Sequence, residues 1–188
     1  MSVRYANTAN GTYWHGYSIG PLTNPDPLAT ILGNSTQNSE AQENTVSVDD
    51  NNAVVSFINR STQLISFRTE DPITKIDVIT KAADIGFGEE SGASTQYLYI
   101  WNAVTESWLA LDSDPTIDTK VTMSGSVVAD YDNYADSNGD VWILITAGSS
   151  GSHGLHLYFA SVDIDESAPD PGGAFNGKLL LLQDLSLR

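Results

Sequence analysis

From residue 45 onward, hydrophobic and polar residues alternate in short runs that are separated by turn-forming residues. Such alternation, rich in β-branched and aromatic residues, is typical of strands with one buried face. The runs are TVSVDD, AVVSFIN, QLISFRT, ITKIDVIT, QYLYIWN, SWLALD, TKVTMSGSVV, DVWILIT and GLHLYFASVDI. No segment long enough for a crossover helix separates them, which excludes a doubly wound α/β fold. The pattern predicts an all-β antiparallel sandwich or jelly roll over residues 45–166.

The two ends of the chain follow a different pattern. Residues 1–44 alternate little and contain polar runs such as GNSTQNSEAQEN, so they predict an extended N-terminal arm. Within the arm, DPLATILG predicts a short helix near residues 27–32, with Asp26 as its cap and Gly33 as its stop. Residues 167–188 predict a Pro/Gly hinge followed by an apolar C-terminal strand.

Both ends carry large apolar side chains that have no core of their own in this pattern. They are Tyr13, Trp14, Tyr17, Leu179, Leu180, Leu181 and Leu182. We predict that they form an assembly interface, in which the arm is anchored on another copy of the chain or on the sandwich. The tail either completes the same sandwich or adds a strand to a neighbour's sheet.

Charge and composition remove several classes of partner. The chain has 8 Lys and Arg against 24 Asp and Glu, a formal net charge of −16, which repels nucleic acid and anionic membrane surfaces. Cysteine is absent, so the sequence offers no disulfide and no thiolate metal site. No run approaches the roughly 18 apolar residues of a membrane span. The acidity and the scarcity of lysine also fit a halophilic source.

The N-terminal residues MSVRYANTANGTYWHGYSIG lack the basic-then-apolar layout of a secretory signal. Yet the abundance of Ser, Thr, Asn, Gly and Asp is typical of proteins that work outside cells. Virion components leave the host by lysis and need no such signal. We therefore predict a location in the virion, an extracellular particle that is assembled inside the host cell.

The acidic segment ADYDNYADSNGDVWILI, residues 129–145, has two interpretations. Asp136, Asn138 and Asp140 stand at alternate positions, which lets a tight loop turn successive oxygen ligands toward one Ca²⁺. An EF-hand is not expected, because Gly139 precedes Asp140 and a strand follows. The alternative is a turn in which Gly139 has a positive φ and Asp136 bonds the loop backbone. The candidate ligands for Ca²⁺, the one cofactor considered, are Asp130, Asp132, Asp136, Asn138 and Asp140.

Trp101 and Trp108 are candidates for stacking on a glycan, since exposed aromatic faces and nearby polar groups are typical of sugar-binding sites. The alternative is packing, because the two residues flank the turn NAVTES and can pair across a hairpin. The sequence lacks a Cys–His dyad, a G-x-S-x-G motif and a Gly-rich phosphate loop. Adjacent Glu89 and Glu90 lie in a Gly/Ser-rich stretch that is typical of a solvated loop, so we predict that the protein is not an enzyme.

Residues 55–165 resemble galactose-binding-domain-like jelly rolls. The resemblance rests on YLYIWNAVTESWLALDS, then YDNYADSNGDVWILITAG, then LHLYFASVDI, which match the hairpin, the turn and strand, and the closing strand of that family. It implies a jelly-roll sandwich of the kind found in surface and virion proteins. Glycan binding, adhesion and virion assembly all occur on this fold, so the resemblance does not choose among them.

Two functional hypotheses follow. The first is a virion structural protein of a virus or phage, a capsid, decoration, turret or tail component, whose partners are other copies of itself and other virion proteins. The alternative is a carbohydrate-binding or adhesion module that recognises a surface glycan and is mounted on a virion or cell surface. A glycan-cleaving enzyme would require two carboxylates at hydrolytic separation in a cleft.

Overall fold

The computed structural model describes residues 2–5, 11–17, 24–37, 54–57, 61–69, 73–86, 94–147 and 153–166. The strands are β1 (Ser2–Tyr5), β2 (Gly11–Tyr17), β3 (Ser35–Gln37), β4 (Val54–Phe57), β5 (Ser61–Arg68), β6 (Ile73–Gly86), β7 (Gln96–Asn102), β8 (Ser107–Asp114), β9 (Val121–Val127), β10 (Asp140–Ala147) and β11 (His153–Glu166). One short helix, α1 (Leu28–Gly33), follows β2 in this part of the chain, and a 3₁₀ turn (Tyr131–Tyr134) precedes β10.

The strands that the structure describes form two antiparallel sheets. The six-stranded sheet has the order β3-β2-β5-β10-β7-β8. The five-stranded sheet has the order β1-β11-β6-β9, and β4 also pairs with β11. The predicted all-β antiparallel sandwich is therefore confirmed. Eight of the nine predicted strand runs correspond to β4–β11, whereas TVSVDD lies outside the described residues.

The main core lies between the two sheets. In β10, Val141, Ile143 and Ile145 are fully buried and belong to this core. They meet side chains from the five-stranded sheet such as Val162 and Ile164. Because successive side chains of a strand point to opposite faces, Trp142 and Leu144 lie on the outer face of the six-stranded sheet. The alternation predicted for DVWILIT thus assigns each side chain to a face.

The segment predicted as an arm is built into the sandwich where the structure describes it. Strand β1 pairs with β11, and β2 lies between β3 and β5. Alternation in GTYWHGY is interrupted by His and Gly, and its partners are distant in sequence, so the local pattern does not reveal this strand. The helix is present one residue later than predicted, and its N-cap is Pro27, without a side-chain capping bond.

The predicted hinge and C-terminal strand, residues 167–188, lie outside the described residues, as does the boundary at residue 44. Within the described ranges, no helix has the length and apolar character that a membrane crossing requires.

Candidate functional site: an outer-face pocket

A second apolar cluster covers the outer face of the six-stranded sheet. Its buried members are Ile31, Leu64, Tyr99, Trp101, Trp142 and Leu144, and Trp14, Leu28, Leu32, Tyr97, Ala103 and Trp108 pack against them. The outer face of an antiparallel sandwich is usually polar and in contact with water. This face therefore differs from an ordinary outer face, because it carries an aromatic cluster with a helix packed on it.

Aromatic rings of the cluster pack in pairs. Trp101 lies directly opposite Trp108 in the β7–β8 hairpin, with ring centroids 5.0 Å apart and an interplanar angle of 61°. Trp14 of β2 packs on Trp142 of β10 at 5.1 Å. These distances are within the range of favourable aromatic contacts. The packing interpretation of Trp101 and Trp108 thus describes their geometry, and only 7% of the Trp101 surface stays exposed.

Helix α1 is fixed to the hairpin at its start and closed by side chains at its end. The indole Nε1–H of Trp108 donates to the backbone carbonyl of Asp26 at 2.8 Å. At the other end, Asn34 Nδ2 donates to the Thr30 carbonyl and Ser35 Oγ to the Ile31 carbonyl, at 2.9 and 2.7 Å. These bonds satisfy carbonyls that the end of a helix leaves unpaired. Buried Ile31 anchors the helix on the aromatic cluster.

The turn of the β7–β8 hairpin forms the next wall. The Asn102 carboxamide oxygen accepts the backbone N–H groups of Val104 and Thr105 at 3.0 and 2.9 Å. The backbone N–H of Ala103 donates to the Asn133 carbonyl at 2.7 Å, which joins this turn to the 3₁₀ turn. Glu106 has a φ of 51° and an exposed side chain. The turn is thereby held in one shape.

The acidic loop before β10 is a tight turn organised by Asp136. Its carboxylate accepts the backbone N–H groups of Asn138 and Asp140 at 2.8 and 3.1 Å and the indole N–H of Trp142 at 3.0 Å. Gly139 has a φ of 80°, and a Cβ there would lie 2.5 Å from the Thr69 carbonyl oxygen. Both features of the turn interpretation, the positive φ and the role of Asp136, are therefore present.

The helix, the hairpin turn and this loop enclose a pocket of about 580 Å³. It is lined by Pro27, Leu28, Ala29, Trp101, Ala103, Val104, Glu106, Ala135, Asp136 and Ser137. This volume is typical of small-molecule sites, which are about 300–1,000 Å³. The described lining residues are mostly apolar, and the polar groups of their side chains are two carboxylates, one hydroxyl and the indole N–H of Trp101. Such a surface suits a ligand that has both an apolar face and hydroxyl groups.

Two of the remaining candidate calcium ligands, Asp140 and Asp132, have side chains with partners within the chain. Arg68 Nε and Nη2 donate to the two carboxylate oxygens of Asp140 at 3.1 and 3.0 Å. This hydrogen bond and the charge of Asp140 raise the pKa of Arg68. Asp132 accepts the backbone N–H of Ile73 at 3.2 Å, and Asp130 has a φ of 54°. The part of the chain that the structure describes brings no three His, Asp or Glu side chains together as a metal site. Calcium binding stays a prediction.

The predicted assembly residues are only partly described. Trp14 packs within its own chain, on Trp142. The side chains of Tyr13 and Tyr17, and the whole of Leu179–Leu182, lie outside the described residues. The sequence did not reveal that Trp14 and Trp142 meet. The alternation of β10 puts Trp142 on the face opposite to Val141, but the pairing of β2 with β5 and of β5 with β10 decides which side chain lies beside it.

The fold and the pocket define an antiparallel β-sandwich protein with an aromatic-floored pocket on one outer face. Residues 11–158 match the family AF_1625_C, described as "Uncharacterized protein, C-terminal domain", and the chain belongs to this family. No curated protein matches the chain.

Solved structures that are similar to this chain include carbohydrate-binding modules. A structure described as "xylan-binding module CBM15" is 10% identical, with a TM-score of 0.56, and the match covers 89% of this chain and 99% of that one. TmCBM61 in complex with β-1,4-galactotriose is 13% identical, with 61% and 70% covered and a TM-score of 0.36. A CBM29-2 variant is 10% identical, with 63% and 83% covered and a TM-score of 0.34. The first likeness shows a shared jelly-roll fold.

Proposed function

We propose that the protein binds carbohydrate in the outer-face pocket and does not cleave it. The observation that carries the proposal is the composition of the pocket, an apolar surface over Trp101 with Glu106, Asp136 and Ser137 at its edge. The fold shared with a module described as xylan-binding supports the same conclusion. Carbohydrate binding was the alternative hypothesis from the sequence, and the likeness to a module described as xylan-binding supports it over the virion hypothesis.

A sugar ring offers one surface of C–H groups and a rim of hydroxyls. The C–H surface can pack on Pro27, Ala29 and Trp101, where water is displaced from apolar atoms. Hydroxyls at the rim can donate to the Glu106 carboxylate and exchange hydrogen bonds with Ser137. Asp136 keeps acceptor capacity as well, because a carboxylate offers about four lone-pair sites and three are used by N–H groups.

The way in which the two carboxylates are held supports binding without cleavage. Asp136 is engaged by the N–H groups of its own turn, which fixes it as a structural acceptor. Glu106 is exposed on a hairpin turn, where water solvates its carboxylate. A hydrolytic pair requires a buried acid with a raised pKa next to an ionised partner. We expect no release of reducing ends from any polysaccharide that the protein binds.

The virion hypothesis stays a prediction. No observation on the described residues supports a virion location or a contact with other virion proteins. The predicted interface residue that is fully described, Trp14, packs within its own chain.

The test is affinity electrophoresis through gels that contain soluble neutral polysaccharides, followed by calorimetry with xylohexaose and cellohexaose. Ala29→Trp places a large side chain in the pocket from an exposed helix position. Val128→Trp is the matched control, since Val128 is 87% exposed and does not line the pocket. We expect retardation of the wild type and the control, and none of Ala29→Trp. Equal retardation of both variants would place binding elsewhere, and no retardation of the wild type would refute the proposal.

A further inference from the structure

We infer that the pocket selects uncharged glycans and rejects those that carry a carboxylate or sulfate at the rim, with Glu106 as a specificity-determining residue. This inference rests on the proposed carbohydrate binding and specifies its substrate class. The observation behind it is the charge of the lining: two of the polar lining residues, Glu106 and Asp136, are acidic.

No basic side chain is present among the described residues that line the pocket to offset those two carboxylates. Arg68 is the cation next to this loop, but its guanidinium donates two bonds to Asp140 at 3.1 and 3.0 Å. Its charge is therefore matched by Asp140, which is not a lining residue. An anionic glycan would enter a pocket whose fixed charges are negative, in a chain with a net charge of −16.

Asp136 and Glu106 contribute differently to this selection. Asp136 is fixed by three N–H donors, so it cannot turn away from an incoming anion. Glu106 is exposed, and its side chain can move. A site can discriminate between ligands by presenting unpaired charge that repels the wrong one. We therefore expect an acidic glycan to bind about tenfold more weakly than its neutral counterpart, and this difference in affinity should decrease as salt is added.

Neutral sugars are not repelled by the two carboxylates. Their hydroxyls donate to carboxylates, and a hydrogen bond to a charged acceptor is stronger than one between neutral groups. The same two side chains can thus bind a hydroxyl and exclude an anion. A neutral glutamine at residue 106 would keep a hydrogen-bonding oxygen and remove the repulsion.

The experiment compares matched oligosaccharides by calorimetry at low and high salt. The pairs are xylohexaose with its glucuronate-substituted form, and cellohexaose with its C6-carboxylate form. We expect at least one neutral hexaose to bind and its acidic partner to bind about tenfold more weakly. The ratio of the dissociation constant for the acidic hexaose to that for the neutral hexaose should fall severalfold in Glu106→Gln. It should fall toward one in about 1 M NaCl, where charges beyond about 3 Å are screened.

Asp114→Asn is the matched control. It removes one negative charge outside the pocket and keeps an oxygen for the backbone N–H of Thr116, which Asp114 accepts at 2.7 Å. Its ratio should equal that of the wild type. Equal affinity for the neutral and acidic partners, or an unchanged ratio in Glu106→Gln, would overturn the inference while leaving carbohydrate binding intact. Binding of neither partner would overturn the proposed function, and this inference with it.

Discussion

The carboxylate of Asp136 joins three N–H groups in and beside the loop before β10. It accepts two backbone N–H groups and the indole N–H of Trp142, all between 2.8 and 3.1 Å. Asp136→Ala leaves all three N–H donors without this acceptor at once. The indole N–H of Trp142 should account for the largest part of the lost stability. Trp142 is only 8% exposed, and its N–H would be left beside the aromatic cluster without its carboxylate acceptor.

The loss of stability can be built up from these contacts. An unpaired buried donor costs about 1–3 kcal/mol, and each backbone bond contributes about 0.5–1.5 kcal/mol. Asn138 is exposed, so its N–H regains a bond to water and counts at the lower limit. We expect Asp136→Ala to lower the free energy of unfolding by about 2–5 kcal/mol, which is about 4–20 °C in Tm for a chain of this size. Asp136→Asn keeps one acceptor oxygen and should lose about half as much.

Thermal and urea unfolding followed by circular dichroism measure both variants. Ser137→Ala is the control, since this neighbouring side chain is exposed and should change stability by less than about 0.5 kcal/mol. If Asp136→Ala were as stable as Ser137→Ala, the hydrogen bonds would not hold the loop and our reasoning would be refuted.

The same proteins test the calcium prediction. Melting is repeated with excess calcium chloride and with a chelator. A Tm of the wild type that rises with calcium, together with no rise in Asp136→Asn, would support a calcium site in this loop. No response to calcium in either protein would contradict that prediction and leave the turn as the role of Asp136.

Three further predictions concern backbone strain, packing and pH. Gly139→Ala should lower the free energy of unfolding by about 1–3 kcal/mol in urea titrations, because residue 139 has a φ of 80° and its new Cβ would lie 2.5 Å from the Thr69 carbonyl oxygen. Gly125→Ala should cost about 1–3 kcal/mol by overpacking, since its Cβ would lie 2.7 Å from that of Leu111; an unchanged Tm would contradict the contact. Burial, and then the charge of Tyr97, raises the pKa of Tyr99 to about 12. The neutral phenol of Tyr99 therefore stabilises the fold fully below pH 10, and this stabilisation is lost as the pH rises toward 12. Ultraviolet titration should show one late phenol, and Tyr99→Phe should remove it.

Local pattern was sufficient for much of the molecule. The run QYLYIWN predicted β7 with the bounds Gln96–Asn102 that the structure has. The order Asp136, Gly139, strand offered the turn before β10 as one of two interpretations, because a positive φ and an acceptor for loop N–H groups are local requirements. Alternation assigned Trp142 and Val141 to opposite faces of the sheet, since the side-chain period of a strand is two residues.

The pocket was not predictable in this way. Its walls come from helix α1, the β7–β8 turn and the loop around Asp136, which are far apart in sequence. They meet because β10 pairs with β7 and because the Trp108 indole binds the Asp26 carbonyl, 82 residues away. The sequence contained Trp101 and Trp108, yet could not tell a stacking platform from packed rings.

The sequence by itself determined strands β4–β11 and the alternation of their side chains, and it offered the acidic turn as one of two interpretations, because each depends on neighbours within a few residues. Tertiary structure alone decided that β2 lies inside a sheet, that Trp14 packs on Trp142, and that Glu106 shares a pocket with Asp136. The physical reason is that strand order in an antiparallel sandwich is set by pairing between distant segments. Local periodicity fixes which way a side chain points, and only that pairing fixes what it meets.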